Sequence, residues 1–420
     1  MKKIRIIFAL AILFSLIGNI SAQIKIAPKT KTLKKDVFDA AMSRMVRPNV
    51  MGYQYVLIKD GKFVTEGAGG KARTGSDGDL NMTTSTPINI GSLAKFLSGT
   101  ARINLFEKPA PKTDSDYKKN GLQANLDRVI WAELPKVWLD QIPGPYVKGP
   151  QQRNITFRKL LQHRSGFDED LKTTKKLTTF ISALDEEFNP ALFDKRKYTN
   201  MNFTLGGYLL PLIEYHNLNY DLDIETNGMS QTDADKLVRD KLGWRMDTLM
   251  RERIWSKMSP KFNITCDPTK DAKNTGAFGY INKDKKGGGV MNSMMETNGH
   301  CVGVGGYFTS ARDLANYVAH FSQTDLIVTQ AGRDAMYKEG MPEDDRVVWS
   351  VATVDNWIKT NFNMPYVLWS DGGSDGNRTV LVRLPNNYYL ILFANSDDLK
   401  TPNLYNIGVA AFKEGMKHNF

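Results

Sequence analysis

Cysteine and histidine are scarce in this chain, with two Cys and five His in 420 residues. None of them falls into tight ligand spacing, which argues against a zinc site. Gly287-Gly288-Gly289 lacks the strand and helix frame of a nucleotide-binding loop. There is no zinc-finger, helix-turn-helix or single-strand-binding signature. The basic residues are scattered (Lys118, Lys119, Lys175, Lys176, Lys285, Lys286) rather than gathered into a stripe, so nucleic acid is not the expected partner. Internal repeats and low-complexity tracts are missing too. The apolar run Ile6 to Ile17 is too short for a comfortable membrane span.

That run has another use. Lys2, Lys3 and Arg5 precede it, and Ser21-Ala22 follows it with small residues. The pattern reads as a secretory signal over 1–22, cut after Ala22, and implies a periplasmic or secreted protein. Loss of these three cations from the formal charge of +11 leaves +8. A positive excess suits contact with an anionic envelope or wall. The remainder, 41% hydrophobic and 24% charged, has an ordinary globular balance. Export also permits a disulfide, so Cys266 and Cys301 are either bridged or two separate thiols.

Elements can be placed along the chain. Leu33, Val37, Ala40, Ala41 and Met45 have helical spacing. Tyr53 to Ile58 and Phe63 to Glu66 flank Asp60-Gly61, a strong hairpin cue. Residues 107–298 are turns, short helices and charged segments, with 216–240 and 267–290 reading as long surface insertions. Ser310 to Phe321 is helical. Val347 to Val354, Val367 to Ser370, Thr379 to Leu384 and Tyr388 to Asn395 read as strands, and Leu404 to Lys417 as a closing helix. Strands at both ends with a helical region between them predict an α/β (α+β) layered domain over 31–420: an antiparallel sheet flanked by helices, with 107–298 inserted.

The chemistry centres on Ser92-Leu93-Ala94-Lys95, which opens an apolar helical run. Residues three apart on a helix share one face. A Lys kept neutral by burial can take the proton of a Ser hydroxyl, otherwise a weak nucleophile. Ser115-x-x-Lys118 repeats the letters in a charged loop where nothing would desolvate the Lys. Tyr198-Thr199-Asn200 offers a hydroxyl to relay a proton and an amide to steady the Lys and the substrate; as plain structure, Tyr198 enters a helix and Asn200 caps it. Three further segments stand out: Leu160 to Phe167, Gly305 to Ala315, and the strand-flanked Ser370-Asp371-Gly372-Gly373-Ser374-Asp375-Gly376.

Five such motifs in this order resemble the β-lactamase-related serine hydrolases: class C β-lactamases, D-Ala-D-Ala carboxypeptidases and related esterases. The resemblance covers roughly residues 35–420. It implies the DD-peptidase and β-lactamase-like fold and an acyl-enzyme on Ser92, with Lys95 as base and Tyr198 as proton relay. Asn200, Asp371, Gly372, Gly373 and Ser374 would bind substrate, and no cofactor is implied. The backbone N–H groups of Ser92 and Ser374 would form the oxyanion hole. His163 falls in a segment that is structural in the family.

One motif departs. Where the family has Lys-Thr-Gly or His-x-Gly, this chain is read as Asp371-Gly372-Gly373, a carboxylate where a substrate carboxylate is received. Like charges ~6 Å apart at an effective dielectric near 20 repel by roughly 3 kcal/mol, unless Arg378 offsets them. An ester or amide hydrolase is therefore expected, acting on a small molecule or peptide. A D-Ala-D-Ala carboxypeptidase or β-lactamase is the alternative within this chemistry, and a non-catalytic binding protein the alternative outside it.

Overall fold

The structure, a computed structural model, describes residues 32–109, 115–140, 150–169, 180–215, 217–267, 275–291, 301–337, 346–396 and 403–417. The signal segment 1–22 lies outside them. No helix among the described residues is long and apolar enough to cross a membrane.

Helix α1 (Lys35–Val46) buries Phe38, Ala41, Met42 and Val46, a stripe at helical spacing. Strands β1 (Gly52–Lys59) and β2 (Lys62–Arg73) form the expected hairpin. Both turn residues are left-handed, Asp60 at φ 47° and Gly61 at φ 72°, as the two-residue turn demands. β2 runs seven residues past the predicted Glu66, through a glycine-rich stretch. Those glycines have a packing role: a Cβ on Gly67 would lie 2.6 Å from the Tyr55 hydroxyl, and one on Gly69 2.8 Å from the Tyr53 ring.

Short strands β3 (Leu80–Asn81) and β4 (Ile88–Asn89) follow, then helix α2 (Ala94–Glu107). The helical region contains α3 (Met201–Glu214), α4 (Leu218–Thr226) and α5 (Gln231–Arg253). Within 216–240, read as a surface insertion, the described residues form α4 and the first turns of α5. The Ser230 hydroxyl accepts from Asp233 N at the start of α5, which buries Val238, Leu242, Met246 and Leu249. Nor is 275–291 a free insertion. Ala277 N bonds Pro87 O, Phe278 N bonds Ala72 O, and Tyr280, buried, bonds Asn395 O.

β5 (Phe308–Thr309) pairs with β4. Helix α6 (Ala311–Gln323) is capped by Ser310, whose hydroxyl accepts from Asp313 N. The chain ends with β6 (Ser350–Thr353), β7 (Tyr366–Ser374), β8 (Asn377–Leu384), β9 (Tyr388–Ala394) and α7 (Leu404–Lys417). Seven strands form one antiparallel sheet in the order β3-β2-β1-β9-β8-β7-β6. Its two faces carry separate cores. Leu57, Val382, Leu390 and Leu392 pack against α1 and α7. Ile58, Leu368, Leu381 and Ile391 pack against the helical region through α2, α3, α5 and α6. β9 is buried along its whole length because both faces are covered. The sheet, the flanking helices and their antiparallel pairing are as the sequence predicts.

Candidate active site

Ser92 sits in a turn of 3₁₀ helix, Gly91–Leu93, that leads directly into α2. Lys95 follows on the first turn of α2 and is 4% exposed. Its Nζ lies 2.9 Å from Ser92 Oγ, and donates to Asn200 Oδ1 at 2.8 Å and to Val304 O at 3.1 Å. Tyr198 stands just before α3 and donates its hydroxyl proton to Ser92 Oγ at 2.8 Å. The spacing-based pairing of Ser92 with Lys95 thus appears in three dimensions, and the chain brings Tyr198 and Asn200 to the same point from more than a hundred residues away. The second Ser-x-x-Lys lies on a short helix, Ser115–Lys119, rather than in a loop, and Lys118 there is exposed.

Asn200 occupies the cap position of α3 but makes no capping bond with its side chain. Glu169 does that instead. Its Oε1 accepts from Met201 N at 2.7 Å and its Oε2 from Asn200 Nδ2 at 3.3 Å. Nothing in the sequence singled out Glu169, because only the fold places it against a residue thirty-one positions later.

Two aromatic rings back the site. His163 lies 4.6 Å from the Tyr198 ring and 5.2 Å from Phe203, and its Nδ1 accepts from Thr199 N at 3.3 Å. Burial, then the charges of Lys95, Arg196 and Arg102, hold its pKa well below the usual imidazole value, so it is a neutral plate behind Tyr198. The Tyr198 hydroxyl is pushed up to about 12, by burial first and then by the charges of Asp371 and Glu169, against the opposing hydrogen bond to Ser92. It therefore keeps its proton at neutral pH.

Strand β7 forms the other wall. Gly372 is the glycine pressed on the Ser92 turn: a Cβ there would lie 1.9 Å from Ile90 O and 2.7 Å from Leu93 N. A Cβ on Gly373 would meet only the movable end of Arg378, at 2.1 Å. Thr379 Oγ1, on β8, donates to Ile90 O at 2.8 Å and holds the turn against the sheet. Ser370, one residue before Asp371, is buried in the cleft wall.

Ser374 and Asn377 pair across the two-residue turn Asp375-Gly376, so they exchange hydrogen bonds with each other. The N–H of Ser374 is thereby turned to β8. By strand alternation the N–H of Gly373 points away from β8, to the edge occupied by the Ser92 turn. A Cβ on Gly91 would lie 2.8 Å from that nitrogen.

Asp371 lines the cleft with Ser92, Lys95, Tyr198, Arg196, Arg346 and Ser370. The residue is exposed by area, yet its carboxyl is crowded by protein at the cleft mouth. That desolvation raises its pKa, against the pull of its own backbone N–H, Lys95 and Arg378. Among the described residues no three His, Cys, Asp or Glu are placed to hold a metal ion. Cys266 and Cys301 are joined, with Cα atoms 5.8 Å apart.

A sheet of this topology, with a Ser–Lys pair at the start of the helix beneath it, defines the β-lactamase and penicillin-binding-protein-like class. Comparison with known proteins agrees. Residues 37–222 match the family model described as Beta-lactamase. The class C β-lactamase of Rhodobacter sphaeroides is similar at 16% identity over 91% of this chain and 99% of that one, TM-score 0.58. FmtA of Staphylococcus aureus gives 14% identity over 91% and 90%, TM-score 0.58. The D-alanine carboxypeptidase AmpC of Burkholderia cenocepacia gives 17% over 91% and 99%, TM-score 0.57. No curated protein sequence matches the chain. The expected resemblance to the β-lactamase-related proteins is borne out over residues 37–222, and the fold is shared with class C β-lactamase-like structures.

Proposed function

We propose that this chain is an exported serine hydrolase that opens an ester or amide bond through an acyl-enzyme on Ser92. The observation that carries the reading is the double contact on one oxygen: Ser92 Oγ meets both Lys95 Nζ and the Tyr198 hydroxyl. A neutral amine has two N–H bonds and one lone pair. With its N–H bonds on Asn200 Oδ1 and Val304 O, Lys95 turns that lone pair onto the Ser92 hydroxyl and is the base. Tyr198 keeps its own proton and so serves as relay: it gives that proton to the leaving group and recovers one from Lys95. The N–H groups of Ser92 and Gly373 face the carbonyl oxygen as it gains charge. Water attacks the ester on Ser92 by the same route in reverse and frees the acid.

Substrate charge favours an uncharged ester or amide, or one bearing an amine, over a β-lactam or a D-Ala-D-Ala peptide. The last two bring a carboxylate to β7, where Ser370 offers no cation and Asp371 offers an anion. Export rests on the signal pattern over 1–22 and agrees with a disulfide, which persists in oxidising compartments. The unit that acts is 31–420, with 107–298 as its inserted helical part.

Labelling with a fluorophosphonate and with a penicillin, read by mass spectrometry, tests the reading. The fluorophosphonate is expected on Ser92, and Ser92→Ala is expected to abolish it while the thermal melt stays within a few degrees. Labelling that persists in the variant, or that maps to Ser115, overturns the assignment. A folded wild type that forms no adduct at all is a binding protein.

A further inference from the structure

We infer that Glu169 is a positioning residue of this site, holding the Asn200 amide so that Oδ1 is turned to Lys95. The inference rests on the assignment of Ser92 and Lys95 above. The two ends of an amide are alike in shape and opposite in function, one accepting and one donating. Lys95 can act as a base only if its N–H bonds find acceptors, and a flipped Asn200 would offer it a donor. Glu169 forbids the flip. Its carboxylate only accepts, and at 3.3 Å from Asn200 Nδ2 it would face an oxygen if the amide turned over.

The helix start explains why this arrangement needs a second residue. An Asn at the cap position ordinarily turns its side-chain oxygen back to the helix N–H groups. Here that oxygen is committed to Lys95 instead, and Asn200 makes no cap bond. Glu169 Oε1 takes the Met201 N–H in its place, where a negative charge also suits the positive end of the helix. One carboxylate thus does the capping and frees the Asn side chain for the Lys.

The charges around Glu169 are consistent with this role. Glu187 and Asp168 carry the neighbouring acidic groups. Glu187 is pushed up to about 7, by burial first and then by the charges of Glu169 and Asp168, so near neutrality it takes a proton and relieves Glu169 of a like charge. Asp168 is paired with Lys197 at 3.5 Å. Tyr198 also feels the Glu169 charge. Glu169 itself is exposed, so its replacement removes no core packing.

A polarity swap tests the inference. Wild type, Glu169→Gln, Asn200→Asp and the double substitution are compared by the rate of fluorophosphonate labelling at Ser92 and by urea midpoint. Glu169→Gln is expected to slow labelling about tenfold with the midpoint little changed. Asn200→Asp sets two carboxylates face to face, and is expected to slow labelling further and lower the midpoint. The double substitution exchanges donor and acceptor yet still gives Lys95 an oxygen. It is expected to restore the midpoint and to label faster than Asn200→Asp, though more slowly than wild type because a carboxylate beside Lys95 favours the ammonium. Wild-type labelling in Glu169→Gln, or a double substitution no faster than Asn200→Asp, overturns the inference. If wild type does not label at Ser92, the hydrolase reading fails, and the midpoints alone decide the positioning: recovery in the double substitution supports it, and additive losses refute it.

Discussion

Asp371 brings a negative charge to a cleft that Lys95, Arg196 and Arg346 also line. The resemblance places it where the family carries a cation; we propose a register one residue earlier, supported by the pressed Gly372, with Ser370 in that place and Asp371 beside it in the cleft. Both changes work in one direction, since the motif now contributes no positive charge and one negative. A matched pair of esters, one neutral and one ending in a carboxylate near the scissile bond, should differ on the order of 100-fold in kcat/KM at pH 7, from the roughly 3 kcal/mol of like-charge repulsion at ~6 Å. The pH dependence has a definite sign. Burial raises the Asp371 pKa, so the carboxyl takes its proton at a higher pH than a free Asp. The preference for the neutral ester should therefore shrink as pH falls, beginning above the ordinary carboxylate range. Asp371→Asn should remove most of the preference and its pH dependence together. A gap of the same size in Asp371→Asn would show that the carboxylate does not face bound substrate.

At the scale of elements, the site is the seam between the start of α2 and the strand β7. Gly372 makes the seam possible, because any side chain there would drive into the backbone of Ile90 and Leu93. Backbone on both sides cannot yield as a flexible side chain can, so Gly372→Ala must part the strand from the turn. The expected result is a loss of about 2–4 kcal/mol in urea unfolding, with labelling of Ser92 lost even below the unfolding transition. Gly373→Ala, which meets only the end of Arg378, should be far milder on both measures. Equal effects at the two positions would return the register to the one first read from the sequence. The same seam shows what the sequence could reveal. The Ser-x-x-Lys spacing, the Asp-Gly hairpin and the strands of the second half were legible because period and turn chemistry are local. The register of a glycine-rich strand against a helix start is not local, and nothing in the letters Ser-Asp-Gly-Gly-Ser-Asp-Gly chooses between neighbouring glycines.

Across the whole molecule, the parts that escaped the sequence reading are those defined by distant partners. β2 continues through Gly67 and Gly69 because tyrosines of β1 lie over them. Residues 231–253 are a helix despite their polarity, since the few apolar residues fall on one buried stripe. Glu169 joins the site only because the helical region folds back on its own start. The bridge between Cys266 and Cys301 is a further long-range tie, and it reaches the site. Thr265, next to Cys266, exchanges backbone bonds with Phe308 of β5. Between Cys301 and β5 lie Gly303, whose carbonyl accepts from Ser98 of α2, and Val304, whose carbonyl accepts from Lys95. The disulfide thus clamps both ends of the segment that holds the back of the nucleophile helix. With a sequence separation of 35 it closes a loop whose constraint on the unfolded chain is worth roughly 3–4 kcal/mol in the chain-entropy model. Cys266→Ser with Cys301→Ser should lower the urea midpoint by that amount of stability. It should also slow Ser92 labelling in protein that is still folded, because the Val304 carbonyl is no longer held against Lys95. Addition of a reductant to wild type should reproduce both effects and leave the double variant unchanged. A midpoint that moves while labelling does not would confine the bridge to stability. An unchanged midpoint would mean that the two sulfurs are not joined in the folded protein.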